Sequence, residues 1–346
     1  MKIGLVNAMG LNSADAMLEM ELCLLLQKSG MEVIPIIQSE IGSAAIVNGD
    51  FSCIVADMTV EEDASRALSE MDMVILIKEA TPRAPHGQPD MAREMNKNLV
   101  NNLVKYSKRS SVIIYISSIS SLGKKLSKKY EKDSLVREKL FVEKRLLKEG
   151  LRWNRKYKNQ KKIYVFRVGH VMGNMQKQTR DLQNMLNKGG EIYVDADGDL
   201  ESNVVHIEHI VRAIQTCKNG KTNPGVYTVV NSPQWSWKEV IEYYAPKESL
   251  VQFYGSSGNN KKSIVDMIWS IAWRVARTQK DRLVPLLTYM SEERNMQVVN
   301  KHLRGESKDA IKNLRKKAGI QLDIFSYSPA RGKMIPKIEL EEMEEE

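Results

Sequence analysis

The sequence predicts an α/β protein built on a doubly wound parallel sheet. Two observations carry that expectation. Over the first 245 residues or so, short runs that are apolar on both faces alternate with amphipathic stretches, the signature of strands covered by helices on both sides. The order strand, helix, strand also demands crossovers, and right-handed crossovers wind the sheet in both directions and leave a ligand crevice at the carboxyl ends of the strands.

The elements follow in order. KIGLVN opens as a strand, and a helical stretch runs to Lys28 with Gly30 as its stop. EVIPII and FSCIVAD are the next strand-like runs, followed by a helix over VEEDASRAL, the strand MVILI and a long helix over MAREMNKNLVNNLVKYS. SVIIYIS is β-branched and strand-like, SLVREKLFVEKRLL helical, and KIYVFRV the strand after it. In that last helix Leu135, Lys139, Val142 and Leu146 share one face, so the three apolar residues should turn inward while Arg137, Glu138, Lys144, Arg145 and Lys148 sit in water. Lys139 then lies on or beside a buried stripe. It either snorkels its ammonium to solvent or binds a ligand or reacting group.

Composition narrows the partners. The 346 residues, 42% hydrophobic and 27% charged, describe an ordinary globular chain, and Cys23, Cys53 and Cys217 are too scattered for a disulfide framework or a metal cluster. That usage fits a reducing cytoplasm, and the opening MKIGLVNAMG is too short an apolar run for a secretory signal. The net charge of +9 is concentrated in Lys124–Lys162 and in the tail, and the chain ends in the acidic run ELEEMEEE. No nucleic-acid-binding module is present, so a basic solvated face suited to phosphorylated ligands or acidic partners is the reading. SIVDMIWSIAWRVAR, within residues 263–277, has one narrow polar stripe; it reads as a helix packed on the main domain or across a dimer interface, with a helix lying on a membrane surface as the alternative.

Several local strings resemble the extended branch of the short-chain dehydrogenase/reductase superfamily, of the NAD-dependent epimerase/dehydratase type. VIIYISSISSLG places Ser118 where that family carries its catalytic Ser or Thr, VFRVGHVMG resembles the stretch containing Gly169, and VVHIEHIVRAI resembles the family's VHVDDVARA. Asn96 matches the helix asparagine, and Asp57 in ADMT the aspartate near the cofactor's adenine. The resemblance implies a Rossmann-like nucleotide-binding core over residues 1–175 and a smaller substrate lobe with returning core elements over 176–245. A basic helical extension over 246–330 and an acidic tail over 331–346 complete the chain. It implies NAD or NADP as cofactor, held by Asn7, Gly10, Asp57, Lys139 and Gly169, and a nucleotide- or carrier-linked substrate.

The departures cut the other way. In NAMGLNSADAM, Gly10 matches the middle glycine of the phosphate-binding turn, but Asn7 replaces the first and the third has no clear counterpart. The end of the second strand, at Gln38, Ser39 and Glu40, has neither the Asp of NAD binders nor the Arg of NADP binders. The strand that should end in small residues ends in Lys78 and Glu79, which either fill the pocket or stand exposed. Lys139 matches the lysine of YxxxK, but Leu135 stands in the tyrosine's place, and leucine transfers no proton; losing a positioned acid/base group removes about 10² to 10⁴ in rate. Tyr130 and His170 are the replacement donors to consider, whereas His206 and His209 read as structural and lack further ligands for a metal.

Three functions follow. The first is a divergent NAD(P)-dependent oxidoreductase or epimerase using Ser118, Lys139 and His170. The second is a non-catalytic sensor or scaffold that binds a partner protein or a second copy of itself, its cofactor lost. The third is an acyl or thioester reductase, motivated by the helical extension.

Overall fold

The computed structural model describes residues 1–7, 13–38, 51–80, 89–121, 134–158, 161–187, 191–194, 198–245 and 250–253. Gly10, Tyr130, the 263–277 stretch, most of the helical extension and the acidic tail lie outside the described residues.

The strands are β1 (Lys2–Asn7), β2 (Glu32–Ile37), β3 (Ile54–Val55), β4 (Met73–Lys78), β5 (Val112–Ser118), β6 (Lys162–Val168), β7 (His170–Met172), β8 (Glu191–Val194), β9 (Val204–His206), β10 (Gly225–Val229) and β11 (Leu250–Phe253). The helices are α1 (Ser13–Lys28), α2 (Glu61–Leu68), α3 (Pro89–Tyr106), α4 (Ser134–Tyr157), α5 (Lys177–Leu186), α6 (Ile207–Lys218) and α7 (Trp237–Tyr244). Seven strands form one parallel sheet in the order β10-β6-β5-β4-β1-β2-β3. The chain winds outward from β1 in one direction and from β4 in the other, so the strand order reverses between them. That is the expected doubly wound, Rossmann-like architecture, with its switch point at β1 and β4.

Alternation along each strand divides the core between the two faces of the sheet. Ile3, Leu5, Ile75, Ile114 and Ile116 pack with Leu22, Leu26, Ile207, Ile210 and Ile214 from α1 and α6. Val6, Val74, Leu76, Ile113 and Val165 pack with Leu68, Leu99, Leu103, Val142 and Leu146 from α2, α3 and α4. Each such side chain, moved from water to the interior, contributes about 1.5 to 3 kcal/mol.

α1 ends where the sequence places its stop. Gly30 takes φ 75°, and the amides of Gly30 and Met31 donate to the Gln27 and Leu26 carbonyls, closing the helix with a left-handed residue. FSCIVAD is shorter as a strand than its composition suggests. Only Ile54 and Val55 pair, at the sheet edge, because Asp57 turns the chain into α2: its Oδ1 accepts the Thr59 amide at 2.8 Å and hydroxyl at 2.7 Å.

The inward face of α4 differs from the spacing argument in two places. Val142 and Leu146 are fully buried, but Leu135 is 44% exposed and Glu138 is only 4% exposed. The stripe runs through Val136, Val142 and Leu146, which places Leu135 at its edge, and Glu138 turns inward because Arg93 on α3 pairs with it at 2.6 Å.

The described residues divide into two units. The first, 1–183 with 201–236, holds the large sheet and the β7–β9 pair. Gly169, between β6 and β7, approaches the Asn203 carbonyl so closely that a Cβ there would lie 1.9 Å from its oxygen, so no side chain fits. The second unit, 184–200 with residues from 237 onward, pairs β8 with β11 in parallel and includes α7. No helix among the described residues is long and apolar enough to cross a membrane.

Candidate functional site

In a doubly wound sheet the ligand crevice is expected at the carboxyl ends of the strands beside the switch point, here β1, β4 and β5. Its most distinctive group is Glu79, the residue after β4, which is completely buried rather than exposed. α4 swings Lys139 over it: the ammonium lies 2.9 Å from Oε1 and donates a hydrogen bond to Oε2 at 3.1 Å. From β5, the Tyr115 hydroxyl donates to Oε2 at 2.7 Å. Burial pushes the Glu79 carboxyl up, but the adjacent ammonium and the phenolic hydrogen bond together hold it below the ordinary carboxylate range. Burial, then the neighbouring carboxylate, pushes the Tyr115 phenol well above its usual value, so Tyr115 stays protonated and serves as a donor to Glu79.

Lys139 therefore neither snorkels freely nor stands open. Its side chain is 22% exposed, and its charge is matched by the buried Glu79 carboxylate. Leu135, one turn earlier, presents a hydrocarbon to solvent.

Asn96 fixes the floor of the crevice. Its Oδ1 accepts the Ala80 amide and its Nδ2 donates to the Ala80 carbonyl, both at 2.8 Å, so the chain leaving β4 is clamped from both sides. The same Nδ2 reaches Glu138 at 3.3 Å, linking the clamp to the Arg93 pair. A further buried carboxylate, Glu143 on α4, receives Arg167 of β6 at 2.6 Å and the Ser117 hydroxyl at 2.6 Å.

Ser118 is half-buried at the end of β5, and its Oγ accepts the Ser120 amide at 3.2 Å. Among the described residues no hydrogen bond joins it to Lys139. His170 is half-buried in β7, its amide donating to Asn203 at 2.9 Å. Asp57 accepts from Gln38 at 3.4 Å as well as from Thr59, so much of its capacity is spent on its own turn. His206 and His209 are both tied to Asn231, one by its amide and one by its ring.

One contact was not legible from residue types alone. Asn7, the last residue of β1, donates from Nδ2 to Oε2 of Glu19 on α1 at 2.9 Å, and both side chains are buried. Burial pushes the Glu19 carboxyl up to about 7, and the Asn7 bond only partly offsets it. The available signal was the pair of glutamates, Glu19 and Glu21, inside the otherwise apolar MLEMELCLLL. Glu21 accepts from Gln176 at 2.6 Å, tying α1 to the chain after β7.

These residues can be tested against the dinucleotide that the resemblance implies. A pyrophosphate needs backbone amides at a helix N-terminus and an approach free of anions. The described residues place the Glu19 carboxyl beside the end of β1 and commit Lys139 to Glu79, an arrangement that does not fit an anionic cofactor held in the usual way.

Comparison with known proteins agrees on the framework. The family model described as "NAD dependent epimerase/dehydratase family" matches residues 20–229. Among solved structures, UDP-N-acetylglucosamine 4-epimerase from Bacillus cereus is 17% identical, with a TM-score of 0.51 over 76% of this chain and 89% of that one. UDP-glucose 4-epimerase from Thermotoga maritima, bound to UDP-glucose, is 17% identical with a TM-score of 0.52 over 76% and 89%. UDP-glucuronic acid 4-epimerase from Bacillus cereus, in complex with UDP-glucuronic acid and NAD, is 19% identical with a TM-score of 0.50 over 74% and 87%. At such identities the likeness establishes the fold. A search of curated protein sequences finds no match. With more than half of the chain under the family model and the doubly wound sheet in place, the chain belongs to the NAD dependent epimerase/dehydratase family.

Proposed function

We propose that this chain is a non-catalytic member of its family, a Rossmann-fold protein that acts as a sensor or a scaffold for a partner protein. The observation that carries the reading is the Lys139–Glu79–Tyr115 cluster, together with Leu135 in the tyrosine's place. In a working couple the lysine lowers the phenol's pKa and holds a ribose. Here the phenol is absent from that position, and the ammonium has an internal carboxylate as its counter-charge. The cluster makes sense as a structural tie between β4, β5 and α4.

The test is titration of the purified full chain with NAD, NADH, NADP and NADPH by calorimetry. Alongside it, incubation with UDP-glucose and UDP-glucuronic acid is followed for hydride transfer and epimerised product. Absence of turnover supports the proposal; turnover of either sugar nucleotide overturns it.

A second reading is an oxidoreductase or epimerase acting on a nucleotide- or carrier-linked substrate with NAD or NADP. It is favoured by Ser118, which is kept half-buried at the end of β5 where the family's hydroxyl stands. On that reading NAD(P) would supply the hydride chemistry, and Ser118 with His170 would hold or move the proton. Lys139→Ala would then abolish nucleotide binding, and because it also strands the buried Glu79 carboxylate it would lower the thermal midpoint as well.

A further inference from the structure

We infer that Glu19, bridged to Asn7 at the end of β1, is a specificity determinant that disfavours the pyrophosphate of a dinucleotide at the switch point. The inference deepens the non-catalytic reading and rests on it.

The placement comes first. Asn7 ends β1 and is in register with Lys78 on β4, so it stands at the point where the strand order reverses. A doubly wound sheet receives the phosphates of its ligand at this point, over the first turn and the N-terminus of the first helix. In this chain a side-chain bridge joins the end of β1 to α1. Asn7 reaches out from the strand and Glu19 back from the helix, and they meet at 2.9 Å.

The character of the bridge comes next. Glu19 is 1% exposed and Asn7 3% exposed, so the carboxyl is out of water and has little solvent to screen it. Its second oxygen, Oε1, is buried and has no hydrogen-bond partner among the described residues. An acceptor in that state attracts a hydrogen-bond donor or a cation and repels another anion. A pyrophosphate offers only acceptors and negative charge. The phosphate-binding turn of relatives works by the opposite arrangement, with amide hydrogens pointed at the ligand and no side chain between strand and helix.

Glu79 reinforces the point on the neighbouring strand. A second buried carboxyl stands at the end of β4, and Lys139, the cation best placed to attract an anion, is already paired with it. Buried carboxyls thus stand beside both strands at the switch point, and Lys139 is spent on neutralising one of them.

Two substitutions separate charge from bulk. Glu19→Gln keeps the size and the acceptor for Asn7 but removes the charge, while Glu19→Gly removes the side chain altogether. Glu21→Gln is the control: it deletes a carboxylate from the same helix, one that is committed to Gln176 and Met175. The probe is NAD, titrated calorimetrically at pH 8 against the full-length protein, with circular dichroism and cooperative melting confirming that each variant is folded.

The expected result is that the wild type does not saturate below millimolar NAD. Glu19→Gln should bind at least ten-fold more tightly, Glu19→Gly at least as tightly as Glu19→Gln, and Glu21→Gln should match the wild type. Folded Glu19 variants that bind no better than the wild type would overturn the inference. So would a Glu21→Gln gain equal to that of Glu19→Gln, since net charge alone would then explain it. Micromolar binding by the wild type without turnover would also overturn it, while leaving the non-catalytic reading standing. Turnover by the wild type is the separate outcome that removes that reading.

Discussion

The two ends of the sheet handle charge in opposite ways. At the carboxyl ends of the strands, Glu19, Glu79, Glu138 and Glu143 are all under 5% exposed, and Asn7, Lys139, Arg93 and Arg167 are drawn in to meet them. At the amino ends, Lys2 pairs with Glu70 and Lys108 with Asp72, but these side chains are 38 to 72% exposed. Exposed pairs of that kind contribute between nothing and about 1 kcal/mol, because water and salt screen them. Buried pairs cost a desolvation penalty that their attraction only roughly offsets, so they add little net stability but punish the loss of one partner heavily. The difference teaches where this chain is particular about geometry: most of all around the crevice, where several charges are held in place at energetic risk, whereas at the opposite rim Lys161 is the buried exception to these exposed pairs.

The sharpest way to break that comparison is to strand a buried carboxylate. Arg167→Met leaves Glu143 without its bidentate partner and is expected to lower stability by about 3 to 5 kcal/mol in chemical denaturation. A loss under about 1 kcal/mol would place the two ends on the same footing.

The next test uses pH, because burial shifts a group at each end to about 7 and the two signs are opposite. Glu19 is raised from 4.5 to about 7 in the folded state, so its contribution is fully present below about 4.5 and is lost as pH rises through 7. That loss is roughly 3 kcal/mol by pH 8, and Glu19→Gln should remove it. Lys161, at the amino end of β6, is 2% exposed, and burial lowers it from 10.5 to about 7. Its contribution is present above about 10.5 and is lost as pH falls through 7, so Lys161→Met should stabilise the protein in acid more than in alkali. Melting curves of the three proteins between pH 5 and 10 check both slopes. Parallel curves for wild type and variants would show that neither group is held as the structure has it.

The smallest effect is expected at the amino rim. Lys108→Ala removes a 2.6 Å pair with Asp72, yet should change stability by no more than about 1 kcal/mol, with that change shrinking as salt is added.

How much of this was legible in the chain depended on range. Strands were readable because their apolar runs are local: EVIPII and KIYVFRV coincide with β2 and β6 residue for residue. Gly30 announced the end of α1 for the same reason. FSCIVAD misled because β-propensity says nothing about whether a partner strand lies on one side or two. Leu135 and Glu138 exchanged places because a heptad-like stripe shows which residues share a face but not where its centre lies; Arg93, 45 residues away, settled that. Around the switch point the residue types were readable and their contacts were not. Glu79 announced itself as a charge at a strand end, but its choice between water and burial was made by Lys139, 60 residues later. The Asn7–Glu19 bridge had no local signature beyond two acids in an apolar helix.

The environment of Lys161 has a consequence for how the molecule opens. Its ammonium group donates to the Ser107 carbonyl at 2.9 Å and hydroxyl at 2.6 Å, just past the end of α3, and lies 4.5 Å from the ring of Trp153 on α4. One side chain thus ties together two helices and a strand. None of the three can fray at that corner without leaving a buried amine unsatisfied, so their opening is coupled. The amide hydrogens of the last turn of α3, the second half of α4 and the start of β6 should then exchange with solvent together, as one cooperative unit, and Lys161→Met should split that unit into parts that exchange at different rates.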